Sequence, residues 1–240
     1  MADARERFKN PADLAQIMDS TLLRPEAVEG EYIAFLREAV DADFRCAFVP
    51  LFYLPLAQKE LARSRVRLGA PLGFPLGFTM GEAKKYEAVL ALQHGARDLD
   101  MVINVSALKS RRYRDVQAEI AEVVRVCRRY DAGRQEDRTT VKVILETCYL
   151  TRDEMRRGAE LSREAGADFV KTSTGLGPAG ATVEDIAFLR EVVGPGFGVK
   201  AAGGIRTLQD LYAMVEAGAN RIGTSAAGAI LAEFLHSYRW

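Results

Sequence analysis

The feature that most constrains the fold of this chain is a joint, repeated along it, at which a helical stretch runs directly into a short apolar stretch. Four segments show this joint, and their sequences are AVDADFRCAFV, LQHGARDLDMVIN, REAGADFVKT and VEAGANRIGT. In three of them a glycine, namely Gly95, Gly166 or Gly218, stands where a helix end requires a left-handed residue. Helices that recur between short buried strands indicate βαβ units and a parallel sheet.

The number of such units predicts the architecture. Strands are predicted at 17–22, 44–49, 66–70, 97–103, 140–145, 168–171, 197–201 and 220–223, with amphipathic helices between them, for example at 81–94 and 151–165. Eight strand–helix units in 240 residues match a single-domain α/β protein, the (β/α)8 or TIM barrel. Residues 1–14 are expected to form an N-terminal helix or extension, and the stretch YDAGRQEDRTT a loop before the fifth strand.

Charge and hydropathy narrow the range of partners. Lysine plus arginine total 33, as do aspartate plus glutamate, so no overall field favours nucleic acid or an anionic membrane surface. The start, MADARERFKN, is charged from its fourth residue, and nowhere do 18 apolar residues run together. This pattern predicts neither a signal peptide nor a membrane span, and we expect a cytoplasmic protein.

The ligand-type residues do not predict a metal site. Cys46, Cys127 and Cys148 are far apart and odd in number, which suits reduced thiols better than a disulfide framework. His94 and His236 are the only histidines and do not form a ligand set, so we expect no metal and no other cofactor. Chemistry must therefore come from carboxylates, lysines or the backbone.

The lysines carry the strongest functional signal. Only eight residues are lysine, and Lys142, Lys171 and Lys200 lie in apolar, strand-like runs. Lys171 ends the sixth predicted strand, Lys200 lies near the end of the seventh, and Asp100 lies in the fourth. Because active sites of TIM barrels lie at the C-terminal ends of strands about 4.8 Å apart, Lys171 and Lys200 are expected to meet there.

Two interpretations of these lysines stay open on the residues alone. A lysine beside a second cation in a partly desolvated pocket has a lowered pKa, and a neutral amine attacks a carbonyl to form a Schiff base. Alternatively, each lysine neutralises a barrel carboxylate, such as Asp100, Asp19 or Glu146, in a buried ion pair.

Glycine-bearing turns after the last two strands favour a bound phosphate. KAAGGI (200–205) follows the seventh strand, and RIGTSAAG (221–228) leads into the last helix. Bare backbone N–H groups and a helix N-terminus are the groups that hold a phosphate in many barrels. Tight turns without a ligand are the alternative.

Seven stretches between residues 15 and 232 together resemble the deoxyribose-phosphate aldolase family. They are MDSTLLRPEA, GFPLGFTMGEAKKYEA, DLDMVINVSALKS, VKVILETCYLT, FVKTSTGLGPAGATVEDI, GVKAAGGIRT and GANRIGTSAAGAIL. The pairing of VKTSTG with VKAAGG, whose lysines are 29 residues apart, is specific, because generic phosphate-binding barrels and fructose-bisphosphate aldolases do not usually carry both.

The resemblance implies a class I aldolase that reversibly cleaves 2-deoxy-D-ribose 5-phosphate to acetaldehyde and D-glyceraldehyde 3-phosphate without a metal. By matching motif positions, Lys171 is implied as the Schiff-base lysine and Lys200 as the lysine that depresses its pKa. Asp100 is implied as the carboxylate of a proton relay. Small phosphosugars and aldehydes are the implied partners.

Further positions follow from the same resemblance. Asp19 and Thr21 are expected to meet substrate hydroxyls or a water, with an N-cap or ion-pair role as the alternative. Lys142 and Glu146 share strand parity and are expected to form a charge-balancing inner layer rather than to act directly in catalysis. The phosphate cradle is expected to comprise Thr174, Gly175, Gly203, Gly204 and Ser225.

Three positions depart from the family pattern. Many relatives place a cysteine at the position of Ala47, so Cys46 is given no substrate contact. Relatives often have a proline where this chain has Ala201, which loosens the turn without touching the lysine. Some relatives end in a tyrosine, whereas this chain ends HSYRW, so no role is assigned to Tyr238.

Alternative functions are another phosphate-binding TIM barrel, either an isomerase or a different Schiff-base aldolase, and a non-catalytic phosphosugar-binding barrel. The binding protein would keep the glycine turns without needing Lys171, Lys200 and Asp100 together, so their joint presence favours an enzyme. We also expect a homo-oligomer, a dimer or tetramer.

Overall fold

The structure, a computed structural model, describes residues 4–133 and 138–238. Its eight strands pair in parallel in chain order and close into a barrel, with β8 hydrogen-bonded to β1. The strands are β1 Met18–Thr21, β2 Cys46–Phe48, β3 Arg67–Leu72, β4 Asp98–Val102, β5 Thr140–Ile144, β6 Phe169–Lys171, β7 Gly198–Ala202 and β8 Arg221–Thr224. The predicted single-domain (β/α)8 barrel is therefore confirmed, and each predicted strand overlaps an observed one.

Helices follow every strand and form the outer ring. They are α3 Glu29–Asp41, α4 Leu54–Leu61, α5 Gly81–Gln93, α6 Val105–Lys109, α7 Tyr113–Tyr130, α8 Arg152–Glu164, α9 Val183–Val193, α10 Leu208–Glu216 and α11 Ala227–Tyr238. Two short helices precede the barrel, α1 Ala4–Arg7 and α2 Pro11–Ala15, in the stretch where a helix or extension is predicted. Among the described residues, none of these helices is both long and apolar enough to cross a membrane.

The helix-to-strand joints have the predicted backbone conformation. Gly95, Gly166 and Gly218 have φ values of +86°, +83° and +114°, which residues with a Cβ resist. In the fourth joint Asp43 takes the left-handed position with φ +50°, a conformation that aspartate tolerates better than most residues. In each of these four joints the reversal from helix to strand is therefore encoded by one local residue.

The third strand is longer than predicted, because it continues through Pro71 and Leu72. Pro71 pairs in register with Asp100 of β4. Proline lacks only the N–H donor, and its carbonyl still accepts, so the strand loses one hydrogen bond and does not end there.

The barrel separates apolar and charged side chains by strand alternation. On β7, Val199 and Ala201 belong to the apolar core between the barrel and the helices, while Lys200 lies between them in sequence. Since successive side chains of a strand point to opposite faces, Lys200 faces the barrel interior. The same alternation on β5 places Val141 and Val143 in the apolar core and turns Lys142 inward.

Candidate active site

Lys171, Lys200 and Asp100, the three predicted catalytic residues, come together inside the C-terminal half of the barrel. Lys171 ends β6 and pairs in register with Lys200 of β7. The Nζ atoms of Lys171 and Lys200 lie 2.9 and 2.7 Å from the same oxygen, Oδ2 of Asp100. All three side chains are buried. One carboxylate oxygen thus holds both ammonium positions next to each other.

A second tier of ion pairs lies beneath these three residues. Asp98 Oδ1 lies 2.5 Å from Lys142 Nζ, and Asp98 Oδ2 lies 2.7 Å from Arg67 Nε. Lys142 Nζ also lies 3.1 Å from Asp100 Oδ1, which joins the two tiers. We call the whole set the charge cluster, and its members are Asp19, Asp98, Asp100, Arg67, Lys142, Lys171, Lys200 and Arg221.

Asp19 belongs to the charge cluster rather than to the cavity wall. Its Oδ2 lies 2.6 Å from Lys200 Nζ, and its Oδ1 lies 2.9 Å from Nη1 of Arg221. The side chain is fully buried, which corresponds to the ion-pair alternative. Thr21 does line the cavity, and its Oγ1 donates to the carbonyl of Asp19 at 3.0 Å.

Sequence reasoning missed Asp98, Arg221 and Arg67. Asp98 precedes Asp100 by two residues on β4, so strand alternation alone could have placed both inside the barrel. Arg221 likewise shares parity with Gly223 on β8. A Cβ at Gly223 would lie 2.8 Å from Cε of Lys200, so this glycine leaves the space that the lysine side chain occupies.

Within the charge cluster, the pKa values of Lys171 and Lys142 are shifted in opposite directions. Burial, helped by the charges of Lys200 and Lys142 and opposed by the attraction of Asp100, lowers the pKa of Lys171 from an ordinary 10.5 to about 8. Burial would also lower the pKa of Lys142, but Asp100, Asp98 and Asp19 outweigh it and raise that pKa. Lys142 therefore stays an ammonium group, whereas Lys171 loses its proton around pH 8.

Burial is the largest cause of the lowered pKa of Lys171. The charge of Lys200, the lysine implied to depress this pKa, adds to the effect of burial. Burial by itself would raise the pKa of Asp100, but Lys142, Lys171 and Lys200 hold that pKa well below its ordinary value. Because Asp100 divides its charge among three lysines, it does not compensate Lys171 fully.

A cavity of about 780 Å³ opens above the charge cluster, and Lys171 is part of its wall. Loops after β6, β7 and β8 supply the rest of this end of the cavity, including every residue of the predicted phosphate cradle. Those residues are Thr174, Gly175, Gly203, Gly204 and Ser225. We call them the glycine rim.

The backbone conformation of the rim requires glycine at three positions. Gly175, Gly203 and Gly204 have φ values of +87°, +91° and +82°. A Cβ at Gly180 would lie 2.2 Å from the carbonyl oxygen of Gly203, so two loops pack backbone to backbone here. A Cβ at Gly204 would meet no atom within 4 Å. The rim therefore presents bare main chain, and Ser225 lies two residues before the start of α11.

Glu146 does not lie in the inner charge layer, so the pairing predicted from strand parity is wrong for this residue. β5 ends at Ile144, and Glu146 has φ +56°, which turns it out of the strand direction. Its carboxylate accepts hydrogen bonds from the Thr174 N–H at 3.2 Å and from the Thr174 hydroxyl. Glu146 thus fastens the loop after β6, and Lys142 alone takes the charge-balancing position.

Cys46 lies deep in the barrel, near Asp19 and Asp98. The thiol and these two carboxylates have ligand atoms within 4.8 Å of one another. Burial raises the pKa of Cys46 well above its ordinary value, and both carboxylates already contact lysine or arginine. A cation would have to displace those ion pairs, so this set suits a neutral thiol better than a metal ligand.

The side chain of Tyr238 lies outside the described part of the chain.

The chain is similar to known aldolases over most of its length. The family described as DeoC/LacD family aldolase matches residues 69–233. The chain is 47% identical to a deoxyribose-phosphate aldolase of Thermoanaerobacter sp. (strain X514), over 92% of this chain and 97% of that one. It is 48% identical to a deoxyribose-phosphate aldolase of Thermococcus kodakarensis, over 90% and 95%.

A solved structure leads to the same family. Deoxyribose phosphate aldolase from Aeropyrum pernix, described as having a unique tetrameric structure, superposes with a TM-score of 0.88 and 37% identity, over 97% of this chain and 95% of that one. Identity at this level over nearly the whole length exceeds what a shared barrel fold alone produces, since unrelated functions share that fold. The chain belongs to the DeoC/LacD family of aldolases.

Proposed function

We propose that this aldolase reversibly cleaves 2-deoxy-D-ribose 5-phosphate to acetaldehyde and D-glyceraldehyde 3-phosphate through a Schiff base on Lys171. One observation carries the proposal, namely that Lys171, with a pKa of about 8, lies in the wall of the same cavity as the glycine rim. A carbonyl-reactive amine and a set of main-chain donors in the wall of one cavity suit an aldehyde that carries a phosphate. The names of the relatives support the choice of sugar.

The first step uses the neutral amine of Lys171. A pKa of about 8 leaves about one Lys171 in ten unprotonated at pH 7, against fewer than about one in a thousand for an ordinary lysine. Nζ attacks C1 of the open-chain sugar, and the carbinolamine loses water to form a protonated imine. The positive charge of the imine stands where the ammonium form of Lys171 would stand, next to Asp100.

The second step breaks the C2–C3 bond. Its electron pair moves toward the iminium carbon and leaves an enamine on Lys171, while the C3 hydroxyl loses its proton and becomes the aldehyde of D-glyceraldehyde 3-phosphate. We assign the proton transfer to Lys200 and Asp100, directly or through a water, because Lys200 contacts both Asp100 and Asp19. Protonation of the enamine at C2 and hydrolysis of the imine then release acetaldehyde and restore the amine.

The glycine rim is assigned to the 5-phosphate. Main-chain N–H groups without side chains in front of them can approach an anion closely, and α11, a helix of 12 residues, begins at this side of the cavity. Arg206 lines the same cavity and adds positive charge to it, whereas Arg24, also in its wall, is paired with Glu31 and Glu26. Thr174 is expected to contribute less than the glycines, since Glu146 already accepts its N–H and hydroxyl donors.

The decisive test has two readouts. Deoxyribose 5-phosphate is supplied to the purified protein, and release of glyceraldehyde 3-phosphate is followed with and without a chelator. Borohydride reduction in the presence of acetaldehyde is followed by peptide mass mapping. We expect chelator-insensitive release and an adduct on Lys171. An adduct on Lys200 or Lys142, no release of product, or a loss restored by a divalent metal would each contradict the proposal.

Assembly and location complete the proposal. We propose a homo-oligomer, a dimer or tetramer, that works in the cytoplasm. The tetrameric relative supports assembly, as do the large exposed side chains of Phe52, Phe78 and Met80, which are 83, 67 and 74% exposed. Free, buried thiols at Cys46 and Cys127 support a reducing compartment. Light scattering on the eluting protein measures the number of subunits, and a monomer at micromolar concentration would contradict the assembly.

A further inference from the structure

Phe48 on β2 contacts the lysines of the charge cluster from inside the barrel. Its ring centroid lies 4.1 Å from Nζ of Lys200, 5.0 Å from Nζ of Lys142 and 5.9 Å from Nζ of Lys171. The side chain is buried, and Phe48 is not among the described residues that line the cavity. One aromatic ring therefore lies within about 6 Å of three lysine Nζ atoms without lining the cavity.

The Phe48 ring occupies the space that a side chain at residue 69, on the next strand, would need. Phe48 pairs in register with Gly69 of β3, and a Cβ at Gly69 would lie 2.7 Å from three atoms of the ring. Phe169 and Gly198 repeat the arrangement, since a Cβ at Gly198 would lie 2.2 Å from the Phe169 ring. The interior thus holds two ring–glycine pairs of the same construction.

The two rings differ in what they face. Phe169 lies near Arg221 and Lys142, with centroid distances of 5.5 and 6.0 Å to the guanidinium carbon and to Nζ. Phe48 faces the two lysines assigned to the reaction. The face of an aromatic ring attracts a cation within about 6 Å, and the attraction grows when the pair is desolvated. Lys200, the nearer lysine, gains more from the Phe48 ring than Lys171 does.

We propose that Phe48 is a positioning residue that holds the Lys200 side chain beside Lys171 and keeps water away from Lys171, so that Lys171 reacts as a neutral amine. Both effects act in the same direction. The ring attracts the charged end of Lys200 and fixes it beside Lys171, where its positive charge opposes protonation of Lys171. The bulk of the ring fills space that water would otherwise occupy. The inference rests on the proposed function, because it concerns the Schiff-base lysine.

Other charged and titratable groups also surround Phe48 and Lys171, and they must stay constant in any test. They are Asp19 on β1, Cys46 on β2, Arg67 on β3, Asp98 and Asp100 on β4, Lys142 on β5, Lys200 on β7, Arg221 on β8 and, at the mouth of the barrel, Glu146. A variant that removes only a ring leaves all of them in place.

The experiment compares Phe48→Leu with Phe169→Leu. Each variant loses one buried ring of the same barrel, and only the first loses a contact with Lys171 and Lys200. Imine formation with acetaldehyde is quenched by borohydride at intervals, and the Lys171 adduct is quantified by mass between about pH 6 and pH 10. The midpoint is the pH at which imine formation on Lys171 is half-maximal. We expect Phe48→Leu to move this midpoint upward by about one pH unit and to slow imine formation at pH 7 about tenfold.

Phe169→Leu is expected to leave the midpoint where it is in the wild-type protein. For deoxyribose 5-phosphate, Phe48→Leu should lower kcat at pH 7 and restore it at about pH 9, with little change in KM. If Phe48→Leu does not fold, Phe48→Met removes the ring with a side chain that adapts to the same space.

Three outcomes would overturn the inference. A midpoint unchanged in the folded Phe48 variant would remove the role of the ring, and an equal shift in both variants would reduce it to general loosening of the barrel. Absence of any Lys171 adduct in the wild-type protein would overturn the proposed function and this inference with it. An adduct with unshifted Phe48 variants would overturn the inference alone.

Discussion

The charge cluster and the glycine rim are adjacent parts of the same barrel and are built from different groups. In the charge cluster, strands place long charged side chains so that each one depends on its neighbours, as Lys200 does on Asp19 and Asp100. In the glycine rim, loops place main chain, and the absence of side chains at Gly203 and Gly204 is what the cavity requires. β7 carries both, since Lys200 lies on it and Gly203 follows it directly.

Because the two parts are built from different groups, changes in them should affect different substrates. Under the proposed function, a change in the charge cluster should alter the reactivity of Lys171 or the stability of the barrel and affect every carbonyl substrate alike. A change in the glycine rim should alter only the binding of the phosphate and spare substrates without one. Each prediction below tests whether that difference holds, beginning with the largest expected effect.

Removing the amine should abolish the reaction for all substrates. Lys171→Met keeps the length and apolar stem of the side chain and removes Nζ, so neither deoxyribose 5-phosphate nor deoxyribose can form an imine. Product release and the borohydride adduct are measured on both sugars. Lys59→Met on the exposed face of α4 is the control and should behave as wild type. Retained turnover of either sugar by the Lys171 variant would show that another group carries the chemistry.

Removing Lys142 should destabilise the barrel rather than change substrate preference. Lys142→Met leaves the buried carboxylates of Asp98 and Asp100 short of a cation, and breaking a buried pair costs about 3–5 kcal/mol. The free energy of unfolding is measured with denaturant. The control is Lys109→Met, which breaks an exposed bridge to Glu154 and should cost less than about 1 kcal/mol. Similar losses in the two variants would mean that the charge cluster tolerates an uncompensated carboxylate.

Blocking the glycine rim should separate phosphorylated from unphosphorylated substrates. Gly204→Val places methyl groups in the cavity, and loss of a charged hydrogen bond to the phosphate, about 1.5–3 kcal/mol, should raise KM for deoxyribose 5-phosphate about 10- to 100-fold. KM for deoxyribose and imine formation with acetaldehyde should hardly change.

Backbone strain is controlled by Gly194→Val, at a remote residue with φ +75° where a Cβ also meets no atom within 4 Å. This variant should lose stability and keep both KM values. Equal effects of Gly204→Val on the two sugars, in a folded protein, would place the phosphate elsewhere and leave the glycines as turn formers.

Weakening the fastening of the rim should have the smallest effect. Glu146→Gln keeps the size of the side chain and removes the negative charge of the carboxylate that accepts hydrogen bonds from the N–H and the hydroxyl of Thr174. We expect KM for deoxyribose 5-phosphate to rise about three- to tenfold, since a hydrogen bond to a charged group is weakened rather than lost. The pH dependence of imine formation should stay unchanged. A shifted pH midpoint would show that Glu146 acts on Lys171 and belongs with the charge cluster after all.

Local patterns explain why some of the site could be predicted. Lys171, Lys200 and Asp100 stand out because a charged residue interrupts an apolar strand, and strand alternation then turns it inward. The same reasoning failed at Glu146, because the strand had already ended and a left-handed residue redirected the chain. Lys84 is a buried lysine that the sequence did not reveal. It is fully buried on α5, where it donates to the Val102 carbonyl at 2.8 Å and pairs with Glu119, and its helix position gave no sign of that burial.

The sequence by itself determined the barrel and the inward direction of its strand lysines, because strand alternation, helix ends and left-handed glycines depend on residues close together in the chain. Only the tertiary structure decided which carboxylate serves which cation. Asp19 meets Lys200 across 181 residues and Arg221 across 202, and Asp100 divides one oxygen between Lys171 and Lys200. Such contacts depend on how closely distant strands approach inside the closed barrel, and the pKa of Lys171 depends in turn on those contacts and on the burial that closure produces.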